Sequence, residues 1–450
     1  MVMERGLINS FLKDEKGQSL MEIIVGLSIG AVLIGTASFG IAFMLRSTTT
    51  NQNLSGASQL TQGLMDNAQS FANASWQNVY SLNKGSANQY FLMASGTSYF
   101  AVVGQEGVPS NDITNGLVGK WGFDENSAST STTVYDTSGN NNNGALTNGP
   151  TRASSTCKMS NCLSFDGSND YAVISDPASE TLDPTSKYSL SVWLKYATTT
   201  SYGFIISKSN GGAGGGYELF RNTGSGAIRF SSCDAAGSCA GGYFDIVTDA
   251  GYNDNNWHYV AATAKTNDVA KIYVDGVLVK SSGTVTQNNV ANAFNLLIGA
   301  RGAAGASPFN GYIDDVRVYN RALSASEVSN LYNSAVFTRY FYVENVCRTN
   351  DSSANISTTT SPCPSGTADD PLTQKATAIT QWLLGVGLDQ VSLSRYLTRW
   401  KNFSIRQTDW MSGAGQDGPF TTPGSAYSTS TNIAPTSTFG SFQIQNLSQQ

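Results

Sequence analysis

The sequence predicts an α+β multidomain chain, with one long amino-terminal helix followed by a large body of antiparallel β structure. Two patterns predict it. Residues 23–45 carry no formal charge, and behind them Leu54, Ala57, Leu60, Leu64, Ala68 and Phe71 recur at helical spacings of three and four. From residue 89 onward the apolar runs shorten to strand length and are separated by Gly, Asn and Asp. The 450 residues are enough for several domains.

Composition narrows the function. Charged residues make up 13%, against ~25% in ordinary soluble domains. The net charge of −6 is dispersed, so there is no basic footprint for nucleic acid. The chain has one histidine, His258, and its six cysteines lack the CxxC spacing of a zinc site. The cysteines fall as local pairs: Cys157 with Cys162, Cys233 with Cys239, and Cys347 with Cys363. Short loops closed by disulfides fit an oxidising, exported location, although six cysteines allow many other connectivities.

As a helix, residues 23–45 span about 35 Å, enough to cross a bilayer core. Arg5, Lys13 and Lys16 precede the span, and between Arg46 and Lys84 there is no Lys or Arg. The positive-inside rule therefore keeps residues 1–17 in the cytoplasm and exports the rest. Glu22 stands at the lip of this span, where a lone carboxylate is costly. A short charged leader, Gly17, four residues, Glu22 and an apolar helix, read as KG followed by QSLMEIIVGLSIGAVLIG, resemble the class III signal of type IV pilins and pseudopilins. The resemblance implies cleavage after Gly17 by a prepilin peptidase and N-methylation of Gln18. It also implies pairing of Glu22 with the amino terminus of a neighbouring pilin subunit within the pilus assembly machinery. Gln18 departs from the family, which usually has Phe or Met there. The helix is expected to end near residues 80–84.

Residues 89–103 read as two strands around a Ser-Gly turn, and 108–116 as a polar linker. Beyond it lie SLSVWLKY, GFIISKS, GYELFRN, AIRFSS, WHYVAATAK, AKIYVDGVLVKS, FNLLIGAR and GYIDDVRVYN, a series of short strands suited to an all-β sandwich. Asp275-Gly276 marks a tight hairpin. In RALSASEVSNLY, Ser324 and Glu327 form a capping box for a short closing helix. WGFDE, YDTSGNNNNG, LSFDGSNDYAVI, SLSVWLK, NNWHYVAAT, IYVDGVLV and GYIDDVRVYNRALS together resemble the laminin-G-like, concanavalin-type jelly roll. TRYFYVENVCR, KATAITQWLL and VSLSRYLTRW resemble the terminal strands of a minor-pilin head. The expected architecture is thus a leader (1–17), a membrane and amphipathic helix (18–84), a first part of a small antiparallel head (85–113), an inserted sandwich (114–334), and the rest of the head with a Ser/Thr-rich tail (335–450).

Candidate chemistry is sparse. The sandwich has few glutamates, among them Glu125, Glu180, Glu218 and Glu327, and no carboxylate row of the kind glycoside cleavage needs. His258 sits in a strand motif and is expected to be structural. Asp314 is expected to share an inward face with Val316 and Val318, by the period of two. A buried carboxylate needs a cation or strong donors. The jelly-roll resemblance implies a calcium near the sandwich rim, with Asp124, Asp136 and Asp314 as ligands. A hydrogen-bonded Asp314 without metal is the other reading. The glycine-rich loops at 211–217 and 231–243 are either recognition loops or plain connections.

These readings together describe a non-enzymatic minor type IV pilin-like surface protein. A single-pass helix would hold it in the membrane, and afterwards in an extracellular fibre, while its lectin-like sandwich adheres to glycans or surface proteins. The alternatives are a pseudopilin of a type II-like secretion system engaging cargo, and an enzyme acting on surface polysaccharide.

Overall fold

The computed structural model describes residues 20–399, except 96–97, 127–130, 177–180, 198–200, 211–214, 234–243, 250, 287–288, 303–304, 350–354 and 385–386, together with 433–435 and 442–444. The chain divides into two compact units, Met1–Gly56 and Ala57–Gln450. Helix α1 (Leu20–Ala74) begins in the first and ends in the second.

Over residues 24–45 of the first unit the helix is apolar on every side. Ile24, Leu27, Leu33, Phe39 and Phe43 all stand exposed, the pattern of a helix made for hydrocarbon. It is long and apolar enough to cross a membrane. Its hydroxyls are satisfied locally: Ser28 donates to the Ile24 carbonyl at 2.7 Å and Thr36 to the Leu33 carbonyl at 3.0 Å. Gly17 and Gln18 lie outside the described residues, as does the side chain of Glu22.

In the second unit the expected apolar stripe does bury itself. Leu64, Met65, Ala68, Phe71 and Ala72, followed by Trp76 and Val79 of helix α2 (Trp76–Tyr80), pack on Tyr90, Leu92, Phe341, Val343, Ala376 and Ala378. Their partner is a seven-stranded antiparallel sheet drawn from two distant stretches of chain. Tyr90–Ser95, Ser98–Val103 and Glu106–Pro109 come from the first stretch, and Val336–Arg348, Ile356–Thr359, Ala368–Leu384 and Gly387–Thr398 from the second. We call this the split sheet.

The residues between form a two-sheet sandwich of eight strands each. The back sheet runs in the order Val277–Val285, Asp268–Val274, His258–Lys265, Lys187–Lys195, Asn310–Tyr319, Cys162–Asp166 and Thr151–Ala153, with Leu117–Trp121 also paired to Asn310–Tyr319. The front sheet runs Phe244–Val247, Ile228–Cys233, Gly216–Arg221, Gly203–Lys208, Leu296–Ile298, Tyr171–Ile174, Gly144–Thr147 and Thr133–Val134. Between them Trp121, Leu190, Val192, Ile206, Leu219, Phe230, Ile272 and Val316 build one apolar core. Asp275 and Gly276 turn the hairpin at φ of 50° and 79°, the left-handed region that such a tight turn requires. Helix α3 (Ala325–Tyr332) carries the expected capping box and lays Val328 and Leu331 on the outer face of the back sheet.

The sandwich leaves and rejoins the split sheet at one place. Pro109 pairs with Val336, and the Ser110 N–H donates to the Ala335 carbonyl at 2.8 Å. A few residues further in, Leu117 pairs with Tyr319, and the Asn320 N–H donates to the Gly116 carbonyl at 2.9 Å. Val108 and Pro109, read from sequence as linker, thus belong to a strand, because Val336 and Phe337 give them a pairing partner.

Between these two pairings sits Asp112. Its carboxylate holds the fully buried Arg317 and, at 3.1 Å, the ammonium of Lys120. Arg317 also donates to Asp315 at 2.8 Å. Burial alone would raise the Asp112 carboxyl, but Lys120 and Arg317 pull it well below the usual carboxylate range. Burial likewise works against the Arg317 charge, and Asp315 with Asp112 outweighs it. Removing one partner of a buried pair strands the other charge in low dielectric. Asp112→Ala is therefore expected to lower the unfolding free energy of the detergent-solubilised chain by about 2–4 kcal/mol in urea titration. A change within error of zero would show that the pair does not hold the joint.

Candidate functional site

The strand Asn310–Tyr319 contains a bulge that the period of two cannot foresee. Trp193 opposes Asp314 and Ser191 opposes Arg317, so one residue more lies between them on this strand than on its neighbour. Asp315 takes that irregularity at φ 46°. Ile313, Val316 and Val318 all face the core, whereas Asp314 pairs with Trp193, which belongs to the cluster on the outer face of the back sheet. The expectation that Asp314 shares a face with Val316 and Val318 is therefore corrected: the bulge shifts the phase by one residue.

Asp314 remains fully buried there. Its Oδ2 accepts the N–H groups of Lys158 and Met159 at 3.1 and 2.8 Å, and its Oδ1 has no hydrogen-bond partner. Asp124 is its acidic neighbour. It accepts the N–H of Gly107, from the split sheet, at 2.8 Å and that of Asn161 at 3.3 Å. Both carboxyls are pushed well above the usual carboxylate range, by burial first; for Asp314 the charge of Asp124 adds to it. The loop 157–162 is held between these acids and closed by the expected Cys157–Cys162 disulfide. Lys158 lays its ammonium 4.1 Å from the Trp193 ring centroid.

Asp136 stands apart from this pair. All of its acceptor capacity is used by its own turn and by the strand Leu117–Trp121: Oδ1 takes the N–H groups of Lys120 and Ser138, and Oδ2 the Ser138 hydroxyl and the Asn142 N–H, each at 2.9 Å. Among the described residues no three His, Cys, Asp or Glu side chains converge as a metal site would need. Two of the three expected ligands are thus brought together, and the third is occupied as the organiser of its loop.

His258 is braced rather than free, as its strand motif implied. Nδ1 lies 2.8 Å from Asp275 and Nε2 3.2 Å from Asp254, with Tyr252 edge-on to the ring. The hydrogen bond with Asp275 chiefly raises its pKa. The Cys347–Cys363 disulfide is present as expected, while Cys239 lies outside the described residues.

The most site-like surface is one that the sequence reading did not single out. On the outer face of the front sheet, Ser207, Glu218, Ser231 and Asp245 stand opposite one another across four strands. Glu218 is buried, and its Oε1 has no hydrogen-bond partner. The Arg301 guanidinium lies 3.9 Å away and stacks 4.4 Å above Phe204, itself stacked on Phe220 at 4.5 Å. Burial raises the Glu218 carboxyl, and Arg301 opposes that most strongly. The hydroxyl of Ser207 is also buried without a partner. Beside this row opens a groove of about 280 Å³, lined by Tyr171, Ser209, Asn210, Phe294, Asn295 and Leu297 among others. Apolar and aromatic walls with a few fixed polar groups make an arrangement suited to a polyhydroxylated ligand. The available signal was Glu218 itself, a carboxylate spaced two from Phe220 inside an otherwise strand-forming run. Arg301, on the loop after FNLLIGA, could not be linked to it without the strand order.

The two buried acids lead to a pH prediction. Unfolded aspartate titrates near ~4, below the folded values of Asp124 and Asp314. Their contribution to stability is therefore complete below that pH and is lost as pH rises through the folded values. With chelator present, unfolding free energy should fall as pH rises above about 4, and Asp314→Asn should flatten that fall. Superimposable urea-derived profiles for the two proteins would remove Asp314 from the account.

Residues 166–329 match a family model described as the concanavalin A-like lectin/glucanases superfamily. No curated protein matches the chain. Among solved structures, the binding domain of Paraclostridial Mosquitocidal Protein 1 is similar at 14% identity, covering 63% of this chain and 76% of that one, with a TM-score of 0.40. Domain 4 of AbnA, an extracellular arabinanase from Geobacillus stearothermophilus solved with arabinotriose, is similar at 20% identity, covering 48% and 98%, with a TM-score of 0.35. The binding domain of botulinum neurotoxin DC, solved with rat synaptotagmin II, gives 10%, 63% and 79%, with a TM-score of 0.38. Identity this low carries no functional inference. The family match and the two packed antiparallel sheets together establish that this chain carries a concanavalin A-like jelly-roll domain.

Proposed function

We propose that the chain is a minor type IV pilin-like surface protein whose jelly roll binds a glycan or glycosylated surface through its front sheet. The observation that carries the binding reading is the buried, incompletely satisfied pair of Glu218 and Ser207 beside an aromatic and amide-lined groove. Buried polar atoms without partners are costly, and a ligand hydroxyl would complete them. The pilin-like part rests on the sequence around Gly17, Gln18 and Glu22. The exposed apolar helix and the split sheet that receives its amphipathic half support it. In this reading the split sheet is the head and the sandwich its insertion, the prepilin peptidase and neighbouring pilins are the assembly partners, and the fibre is extracellular.

Binding is favoured over cleavage. Hydrolysis of a glycosidic bond takes two cooperating carboxylates. In the row on the front sheet, Glu218 has Asp245 as its fellow acid, and Asp245 is forked onto Arg229. Calcium enters this reading at Asp124 and Asp314, whose carboxylates would supply part of the oxygen set that a hard cation takes. Added calcium is then expected to raise the melting temperature of the native chain but not of Asp314→Asn. No rise in either leaves the pair as a proton-holding one.

Two measurements test the proposal. On a glycan and matrix-protein array, the purified chain should bind a defined carbohydrate, and Glu218→Gln or Arg301→Ala should weaken that binding about tenfold or more. A blank array from folded protein would overturn the lectin reading. Co-expression with a prepilin peptidase should remove residues 1–17, and Gly17→Val should retain them by mass spectrometry. An uncleaved native chain would overturn the pilin reading.

A further inference from the structure

At the end of the strand Gly203–Lys208, next to residues that line the front-sheet groove, lies a buried amine. Lys208 is wholly shielded from solvent. Its Nζ donates to Asp183 Oδ1 at 2.7 Å, to the Asn292 backbone carbonyl at 2.7 Å and to Asn292 Oδ1 at 3.3 Å, with Asp176 at 2.9 Å. Asn292 is locked in place: its Nδ2 donates to the carbonyls of Lys208 and Val290, each at 3.1 Å, and its own N–H to Asp183 at 2.9 Å. The Phe294 N–H donates to Asn292 Oδ1 at 2.8 Å. Asp183 Oδ2 is buried without a partner. Gly216, at φ 125°, lets the opposing strand pass close by, since a Cβ there would fall 2.0 Å from the Lys208 carbonyl oxygen.

A buried amine thus lies against a carboxyl and a half-buried carboxamide, and the carboxyl also holds the backbone N–H of the residue that carries the carboxamide. From this geometry we infer that Lys208 and Asn292 form an intramolecular isopeptide bond, with Asp183 as the proton carrier. Asp183 takes a proton from the ammonium, which frees the Nζ lone pair. Nζ attacks Cγ of Asn292, and the charge that develops on Oδ1 is held by the Phe294 N–H, placed as an oxyanion donor. Asp183 delivers that proton to Nδ2 and takes the second proton from Nζ, the Cγ–Nδ2 bond breaks, and the departing ammonia takes the second proton from Asp183 to leave as ammonium. The net change is one amide formed, one amide lost and one ammonium released, with no oxidant or co-reactant. Asn292 is the electrophile in this assignment because its Oδ1 both lies against Nζ and holds the Phe294 N–H, while Asp183 Oδ1, 2.7 Å from Nζ, is placed to accept the proton. Burial keeps the Asp183 carboxyl raised, which suits it to carry a proton. The bond would tie Gly203–Lys208 to the segment preceding its neighbour Leu296–Ile298. The inference does not depend on the ligand reading.

Intact mass spectrometry of the full chain, purified in detergent with disulfides reduced, tests it directly. The expected mass is lower than that of the sequence by one ammonia per chain, once any leader cleavage is counted, and peptide mapping should recover the peptides of Lys208 and Asn292 joined. An unmodified mass overturns the inference, and so does loss of one water, which would place the bond on an aspartate. Asp183→Ala, if its circular dichroism matches the native chain, should carry the unlinked mass. A linked Asp183→Ala would overturn the role given to Asp183.

Discussion

The buried charge group of Asp112, Arg317, Lys120 and Asp315 is the constraint on which the second unit turns. A guanidinium taken wholly out of water must be met by carboxylates, and here one of them comes from the short link between the split sheet and the sandwich. That requirement fixes where the link runs. The first and last strands of the sandwich can then pair with each other, and so can the two strands of the split sheet that flank it. A domain with paired ends sits in a host sheet without disturbing its ladder.

The same economy governs the acids nearby. Asp124 reaches the split sheet through Gly107 and the disulfide loop through Asn161, while Asp314 takes the other end of that loop. Gly107 is suited to this approach, because a Cβ there would fall 2.9 Å from that of Met159. These carboxyls act as acceptors for backbone donors, and burial favours their neutral forms.

Much of this architecture was legible in local pattern. The apolar helix, the Asp275-Gly276 turn, the Ser324 capping box and the succession of short strands along the sandwich depend on neighbours a few residues apart. Two of the local cysteine pairs are also joined as proximity suggested. What escaped the sequence depends on register or on distance. The face of Asp314 was misread because one residue of irregular backbone at Asp315 reverses the alternation, and nothing in GYIDDVRVY marks which aspartate bulges. Glu218 and Arg301, or Lys208 and Asn292, are remote in sequence and meet only through the strand order of the front sheet. The jelly-roll resemblance implied Asp136 as a metal ligand, but the backbone N–H groups of Lys120, Ser138 and Asn142 and the Ser138 hydroxyl occupy it.

The paired ends of the sandwich also determine how a pull would travel. A force applied to the sandwich reaches the split sheet through two chain crossings side by side, at Ser110 and Ala335, which are hydrogen-bonded to each other. The load is therefore divided between two strands that run antiparallel and continue into one ladder. A domain strung in line would put the whole load on a single connection at each end. This one hangs as a branch, so tension along the sheet's own strands can bypass it and leave its core unstretched.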